Sequence, residues 1–173
     1  MHNQQERVVE LLETSGPRLH GLLARLTLSE DAVGDLLQEL FIRLSSSNGL
    51  DKARDPFAYA HRAAINLAFE WRRRQKVKCQ SLDEDCLAAP SSSSPLGTII
   101  RREELEQLLD ATSQLSRLAR DVVVMHYIEQ ESYEEISQRL GKKPQYLRSL
   151  SSKALARLRT SLAGAENRPC RED

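Results

Sequence analysis

An all-α protein built as two small helical domains joined by a flexible linker is predicted by three observations in this 173-residue chain. Apolar residues recur with helical spacing in both halves. No strand-like alternation of useful length interrupts them. Between Ser81 and Gly97 the apolar period lapses, and the segment contains Asp83-Glu84-Asp85 followed by Pro90-Ser-Ser-Ser-Ser-Pro95-Leu-Gly97, a composition suited to a linker. The expected division is an N-terminal domain over 1–78, a linker over 79–100, a C-terminal domain over 101–165 and a tail over 166–173.

In the N-terminal domain, Leu19, Leu22, Leu23 and Leu26 mark a first amphipathic helix. Val33, Leu36, Leu37, Leu40, Phe41 and Leu44 mark a second, for which Ser29 is the expected cap, with Glu30 and Asp31 at its positive end. The outer face of this helix carries Asp35, Gln38, Glu39 and Arg43; taken alone, it suits an ordinary solvated face as well as a partner surface. A polar loop, Ser45-Ser-Ser-Asn-Gly49, follows. Asp55-Pro56 has the residue types that open a helix, whose expected buried stripe is Ala60, Ala63, Ala64, Leu67, Ala68 and Trp71. Helical spacing gathers Arg62, Asn66, Phe69 and Arg73 on another face. Guanidinium groups hold phosphates, an amide reads a base edge and a ring stacks on an unpaired base, so this face suits nucleic acid. It equally suits a basic helix end snorkelling over the bundle.

The C-terminal domain carries the most informative stretch, Ser132 to Lys153. Ser132 and Glu135 form a capping box, Ile136 and Leu140 give an inward face, Gly141 suits a left-handed stop and Pro144 suits the first turn of a second helix. Leu147, Leu150 and Ala154 are expected to pack inward, leaving Gln145, Tyr146, Arg148, Ser149, Ser152 and Lys153 outside. Amide, hydroxyl and cationic groups on the outer face of a second helix are what major-groove reading requires, and the pair reads as a helix-turn-helix. Antiparallel helix pairs in other bundles can share this pattern. The run Lys142, Lys143, Arg148, Lys153, Arg157 and Arg159, uninterrupted by an acid, adds a one-sign field for phosphate; Lys142, Lys143 and Arg157 are the expected backbone contacts.

Charge balance conceals this segregation. Lys plus Arg and Asp plus Glu each number 25, so the formal net charge is zero. Yet Glu30, Asp31, Asp35 and Glu39 form an acidic stretch, and Arg72, Arg73, Arg74, Lys76 and Lys78 a basic one, which implies separate surfaces for different partners. No apolar run is long enough to span a bilayer and no signal-peptide core is present, so a soluble cytoplasmic protein without membrane insertion is expected. Cys79, Cys86 and Cys170 read as free reduced thiols rather than a disulfide or zinc site. His2, His20, His61 and His126 are scattered, and no phosphate loop or nucleophile motif accompanies them; neither an enzyme nor a cofactor is indicated.

In order, these segments resemble a family. Asp31-Ala-Val-Gly-Asp-Leu-Leu-Gln-Glu-Leu-Phe-Ile-Arg-Leu44 is similar to sigma region 2.2, and Asp55 through Arg74 to regions 2.3 and 2.4. Leu115–Arg120, Ser132–Ser137 and Leu150–Arg159 are similar to region 4. Their order and spacing resemble the extracytoplasmic-function group of bacterial sigma-70 RNA polymerase sigma factors. The resemblance implies that Asp35, Gln38, Glu39, Phe41 and Arg43 dock on the β′ clamp helices of core RNA polymerase. It implies that the Arg62, Asn66, Phe69 and Arg73 face engages the −10 element, and that the loop from Ser45 to Asp55 receives a flipped base. The helix from Pro144 would read the −35 element in promoter DNA, its domain resting on the β flap, and an anti-sigma factor is a further implied partner. The chain departs from the family pattern at Tyr59, where a tryptophan is usual, at Ile65, where an arginine is usual, at Ser116, where a proline is common, and at Lys142-Lys143-Pro144-Gln145 in the turn. A stand-alone helix-turn-helix regulator is the alternative reading; it leaves the Asp35–Glu39 and Asn66 faces without a task. A protein-interaction module is a third.

Overall fold

In the computed structural model, residues 2–81 and 97–166 are described, and all of their regular structure is helical. The linker segment and the tail, with Cys86 and Cys170, fall largely outside the described residues, as does the side chain of Cys79.

The N-terminal half comprises α1 (His2–Thr27), α2 (Glu30–Ser46), α3 (Gly49–Lys52) and α4 (Pro56–Ser81). Helix α1 begins well before its leucine stripe and continues through Pro17. Leu19, Leu22, Leu23 and Leu26 of α1 are fully buried where it packs on α2 and α4, and Val33 and Leu40 of α2 are fully buried as well. Ser29 occupies the cap position of α2 in extended conformation, but its side chain makes no capping bond. The expected Asp55 cap is made: its Oδ1 accepts from the Ala58 amide at 3.0 Å.

The polar loop contains structure that spacing did not reveal. The single turn α3 buries Leu50. Gly49 lies so close to the Tyr59 ring that an added Cβ would collide with its hydroxyl, which also bonds Ser47 Oγ at 3.3 Å. The ring at the position where a tryptophan is usual is thus fixed against this loop.

The C-terminal half comprises α5 (Gly97–Ser113), α6 (Arg117–Val123), a π-helical turn (Val124–Ile128), α7 (Tyr133–Leu140) and α8 (Pro144–Glu166). The capping box at Ser132 is complete: Ser132 Oγ accepts from the Glu135 amide while the Glu135 carboxylate accepts from the Ser132 amide. Gly141 ends α7 with φ of 63°, the left-handed conformation that a side chain disfavours. Ile136, Leu147 and Ala154 pack inward, and Leu150 is half-buried.

The two halves share one core. A single apolar cluster runs from Leu19, Leu36 and Phe69 into Val122, Val124, Met125, Ile136 and Leu147, and a smaller one joins Leu115, Ala119 and Val123 to Ala154 and Leu158. Helix α4 is the element between them. Ala60, Ala64, Leu67 and Ala68 are buried as their stripe predicts, but His61, Ile65 and Phe69 are buried as well, because α6 covers a second side of the helix. Each large apolar side chain so enclosed contributes about 1.5–3 kcal/mol relative to exposure. Ile65, which replaces the usual arginine, is therefore a core residue.

Candidate polymerase and promoter surfaces

The face of α8 is arranged as expected for groove reading. Gln145, Tyr146, Arg148, Ser149, Ser152 and Lys153 are all exposed, as are Lys142, Lys143 and Arg157. Their display follows from local rules: Pro144 opens the helix, and the buried Leu147 and Ala154 orient the opposite face outward. Arg148 is steadied from α7, donating to Glu134 at 2.7 Å, with its guanidinium 5.6 Å from the Tyr133 ring centroid. Behind it His126 stacks on Tyr133 at 4.1 Å and bonds the Glu131 carbonyl through Nδ1, which places this histidine in a packing role.

The face of α2 has a different chemistry. Asp35 and Gln38 are exposed, and Ile42 is 61% exposed. Leu12, Leu37, Gln38, Phe41 and Ile42 line an open apolar groove of about 450 Å³ between α1 and α2. The half-buried Leu12 of α1 and the exposed Ile42 of α2 were not singled out by spacing, because the groove forms only where α1 lies beside α2. Arg43 and Glu39 are engaged within the chain. Arg43 Nη2 donates to Glu39 at 2.5 Å and to Glu70 at 2.8 Å, and Arg74 reaches Glu39 at 3.4 Å. The Glu70 hydrogen bond raises the Arg43 pKa against the opposing effect of burial. Burial alone would raise Glu70, yet the Arg43 bond and the nearby Arg73 and Arg74 charges hold it below its ordinary value.

The third face corrects an expectation. Arg62, Asn66, Phe69 and Arg73 do lie along α4, but Phe69 is fully buried rather than an exposed stacking ring. The Arg120 guanidinium from α6 sits 4.9 Å from its centroid. Arg120 Nη2 also donates to Asn66 Oδ1 at 2.6 Å, while Asn66 Nδ2 donates to the Arg62 carbonyl at 2.8 Å. Arg62 Nε donates to the buried Asp121 at 3.1 Å. Arg73 remains exposed. Spacing along α4 could not show this cover, since it comes from residues more than fifty positions away.

Charged contacts continue along the seam. His61 Nε2 meets Glu129 Oε2 at 2.5 Å, Arg72 donates to Asp110 at 2.8 Å and Lys76 to the same carboxylate at 3.1 Å. Burial lowers the Arg120 pKa, and burial raises that of Asp121 despite the Arg62 and Arg120 charges beside it. Among the described residues no cluster of three or more potential metal ligands occurs, and no helix is long and apolar enough to cross a membrane.

Comparison with known proteins agrees with this layout. The family described as Sigma-70 region 2 matches residues 11–77, and Sigma-70 region 4 matches residues 105–158. The RNA polymerase sigma factor CarQ of Myxococcus xanthus is 29% identical over 94% of this chain and 92% of its own length. The ECF RNA polymerase sigma factor SigE of Mycolicibacterium smegmatis is 31% identical, over 89% of this chain and 61% of its own. The RNA polymerase sigma-E factor of Streptomyces avermitilis is 31% identical, over 74% of this chain and 69% of its own. With region 2 and region 4 in this order, and with relatives of this kind, the chain belongs to the extracytoplasmic-function group of the sigma-70 family of RNA polymerase sigma factors.

Proposed function

We propose that this chain acts in the cytoplasm as a non-enzymatic initiation factor: it binds core RNA polymerase through its N-terminal domain and directs it to promoters with −10 and −35 elements. The domains are assigned as 1–78 for polymerase and −10 binding, 79–100 as linker and 101–165 for −35 binding. The observation that carries the reading is the pairing of two unlike exposed faces, an apolar groove edged by Asp35 and Gln38 on α2 and a basic, amide-rich face on α8. The groove suits a helical partner, for which the β′ clamp is the assignment, because Leu12, Phe41 and Ile42 offer apolar anchors while Asp35 offers charge selection. The α8 face suits the major groove: Arg148 and Gln145 are types that read base edges, and Lys142, Lys143 and Arg157 neutralise phosphates. In this scheme the C-terminal domain rests on the β flap, and the face of α4 receives melted −10 strand once it is uncovered.

A stand-alone regulator would need only α8. The test is co-purification of the chain with bacterial core polymerase, alongside a gel-shift titration on promoter DNA with and without polymerase. Stable association, with promoter binding that requires polymerase, is expected. Tight, specific DNA binding by the chain alone, without association, would transfer the assignment to a regulator.

A further inference from the structure

A polar cavity of about 510 Å³ opens between α1 and the chain that runs from the π turn into α7, away from the faces assigned to polymerase and promoter. Arg18 and Arg25 line it from α1, Glu129, Gln130 and Glu131 from the segment that ends the π turn, and Arg139 from α7. Its size falls within the range of about 300–1,000 Å³ typical of small-ligand sites. Two of the acids at this cavity are already committed: Glu129 meets His61, and the Glu135 carboxylate serves the Ser132 capping box. Glu131 is the exception. It is more than nine-tenths buried, and its Oε1 takes Arg139 at 2.6 Å, but its Oε2 is buried without a hydrogen-bond partner among the described residues. Burial raises its pKa; Arg139 opposes this and Glu129 adds to it. A buried acceptor left without a donor is costly. The cations at the mouth are also under-used. Arg18 Nη2 stops 3.9 Å from Glu131 Oε1, beyond hydrogen-bond reach, and its guanidinium is held 4.7 Å from the Phe57 ring centroid instead. Arg25 spends Nε and Nη1 on the Gly21 and Ile128 carbonyls, at 3.1 Å each, and its Nη2 has no partner among the described residues.

We propose that this cavity binds a free α-amino acid, its ammonium donating to Glu131 Oε2 and its carboxylate accepting from Arg18 and Arg25. An orphaned carboxylate oxygen beside under-used guanidinium groups fits a cation and an anion placed next to each other on one small molecule. A bare anion would face Glu129 and Glu131 as well as the arginines, and a bare amine would face three arginines. A zwitterion meets both signs, and charge-assisted hydrogen bonds at each end supply its affinity. The cavity is larger than the backbone part of an amino acid, which leaves room for a polar side chain beside Gln130. Because the walls come from α1 on one side and from the π turn and α7 on the other, the bound molecule stabilises the folded chain. The inference is independent of the polymerase and promoter assignments and gives the chain a second input, a small metabolite.

The test is differential scanning fluorimetry of the full chain with each proteinogenic L-amino acid at millimolar concentration, followed by isothermal titration calorimetry of the strongest stabiliser. Saturable binding of at least one amino acid, with a rise in melting temperature that grows with its concentration, is expected. The N-acetyl and carboxamide derivatives of that amino acid each lack one charge. They should bind about tenfold more weakly, or worse, as the loss of a charge-assisted hydrogen bond requires. Glu131→Gln and Arg18→Gln should weaken binding of the parent amino acid by a similar factor. Arg18 is exposed, so its variant decides the matter if Glu131→Gln does not fold. Absence of saturable binding by every amino acid overturns the proposal, and the cavity then holds solvent alone. Undiminished binding of both derivatives overturns it as well, as does undiminished binding to the folded variants. So does a response to sodium pyrophosphate that equals or exceeds that of every amino acid, which would mark an anion site made by the arginines.

Discussion

Arg148 and Asp35 are the residues where the two assigned interfaces separate most cleanly. Arg148 projects from α8 with the exposed Glu134 as its one ionic partner among the described residues, a pair worth little to stability. Arg148→Ala should therefore leave folding and polymerase binding intact while lowering promoter-specific transcription roughly 5- to 150-fold, the range for one lost bidentate base contact of about 1–3 kcal/mol; run-off assays beside a polymerase pull-down check both parts. Asp35 is the better probe of the other interface than Glu39. Reversing Glu39 would also release Arg43 and Arg74 from their bridges, whereas Asp35 is exposed and forms no such bridge among the described residues. Asp35→Arg should weaken core-polymerase binding about tenfold or more, by placing like charge against a complementary surface, without changing the melting temperature. At this scale the sequence showed most of the α8 face, because Pro144, Leu147 and Ala154 fix which residues point outward. It misplaced Phe69, whose cover comes from another helix altogether.

Among the elements, α7 and its turn were legible to the residue. Capping box, left-handed glycine and proline start are local features, each set by atoms within a few positions of one another. Removing one should have a local cost: Ser132→Ala is expected to destabilise the chain by about 1 kcal/mol, lowering the urea midpoint while the m-value stays constant. Elements that answer to tertiary neighbours were less visible. The α3 turn is four residues long and is held by burial of Leu50 and the Gly49–Tyr59 contact, so no period announces it. The start of α1 precedes its leucine stripe, and the π turn at Val124–Ile128 departs from the spacing on which the helical reading depends. Where the loop from Ser45 to Asp55 is assigned to base capture, the part around Ser47 and Gly49 already packs on Tyr59.

Across the whole molecule, the closed seam carries a pH dependence of two opposite signs. Burial raises the pKa of Asp121, against the nearby Arg62, Arg120 and His61; burial raises that of Glu131, with Glu129 adding to it and Arg139, His61 and Arg18 opposing. A carboxylate whose pKa is higher in the folded chain binds protons better there, so stability rises as pH falls into that raised range. Asp110 behaves oppositely: burial would raise it, but Arg72 and Lys76 hold it below the ordinary value, and its contribution disappears when it is protonated at lower pH. The urea midpoint should therefore rise as pH falls toward the raised Asp121 and Glu131 range and fall again below the ordinary carboxylate range, where Asp110 is protonated. Helical composition and two-domain order were legible in the chain from its apolar periods and its linker composition. The packing of one domain on the other was not, since the Arg120, Asp121 and Glu129 partners lie 54 to 68 positions along the chain from theirs. The most direct test of the central assignment is run-off transcription by core polymerase reconstituted with this chain on a library of genomic promoters. New transcripts that start at a shared pair of −10 and −35 sequences, and that disappear when the chain is omitted, are the predicted result; polymerase that gains no start sites from the chain would contradict the account.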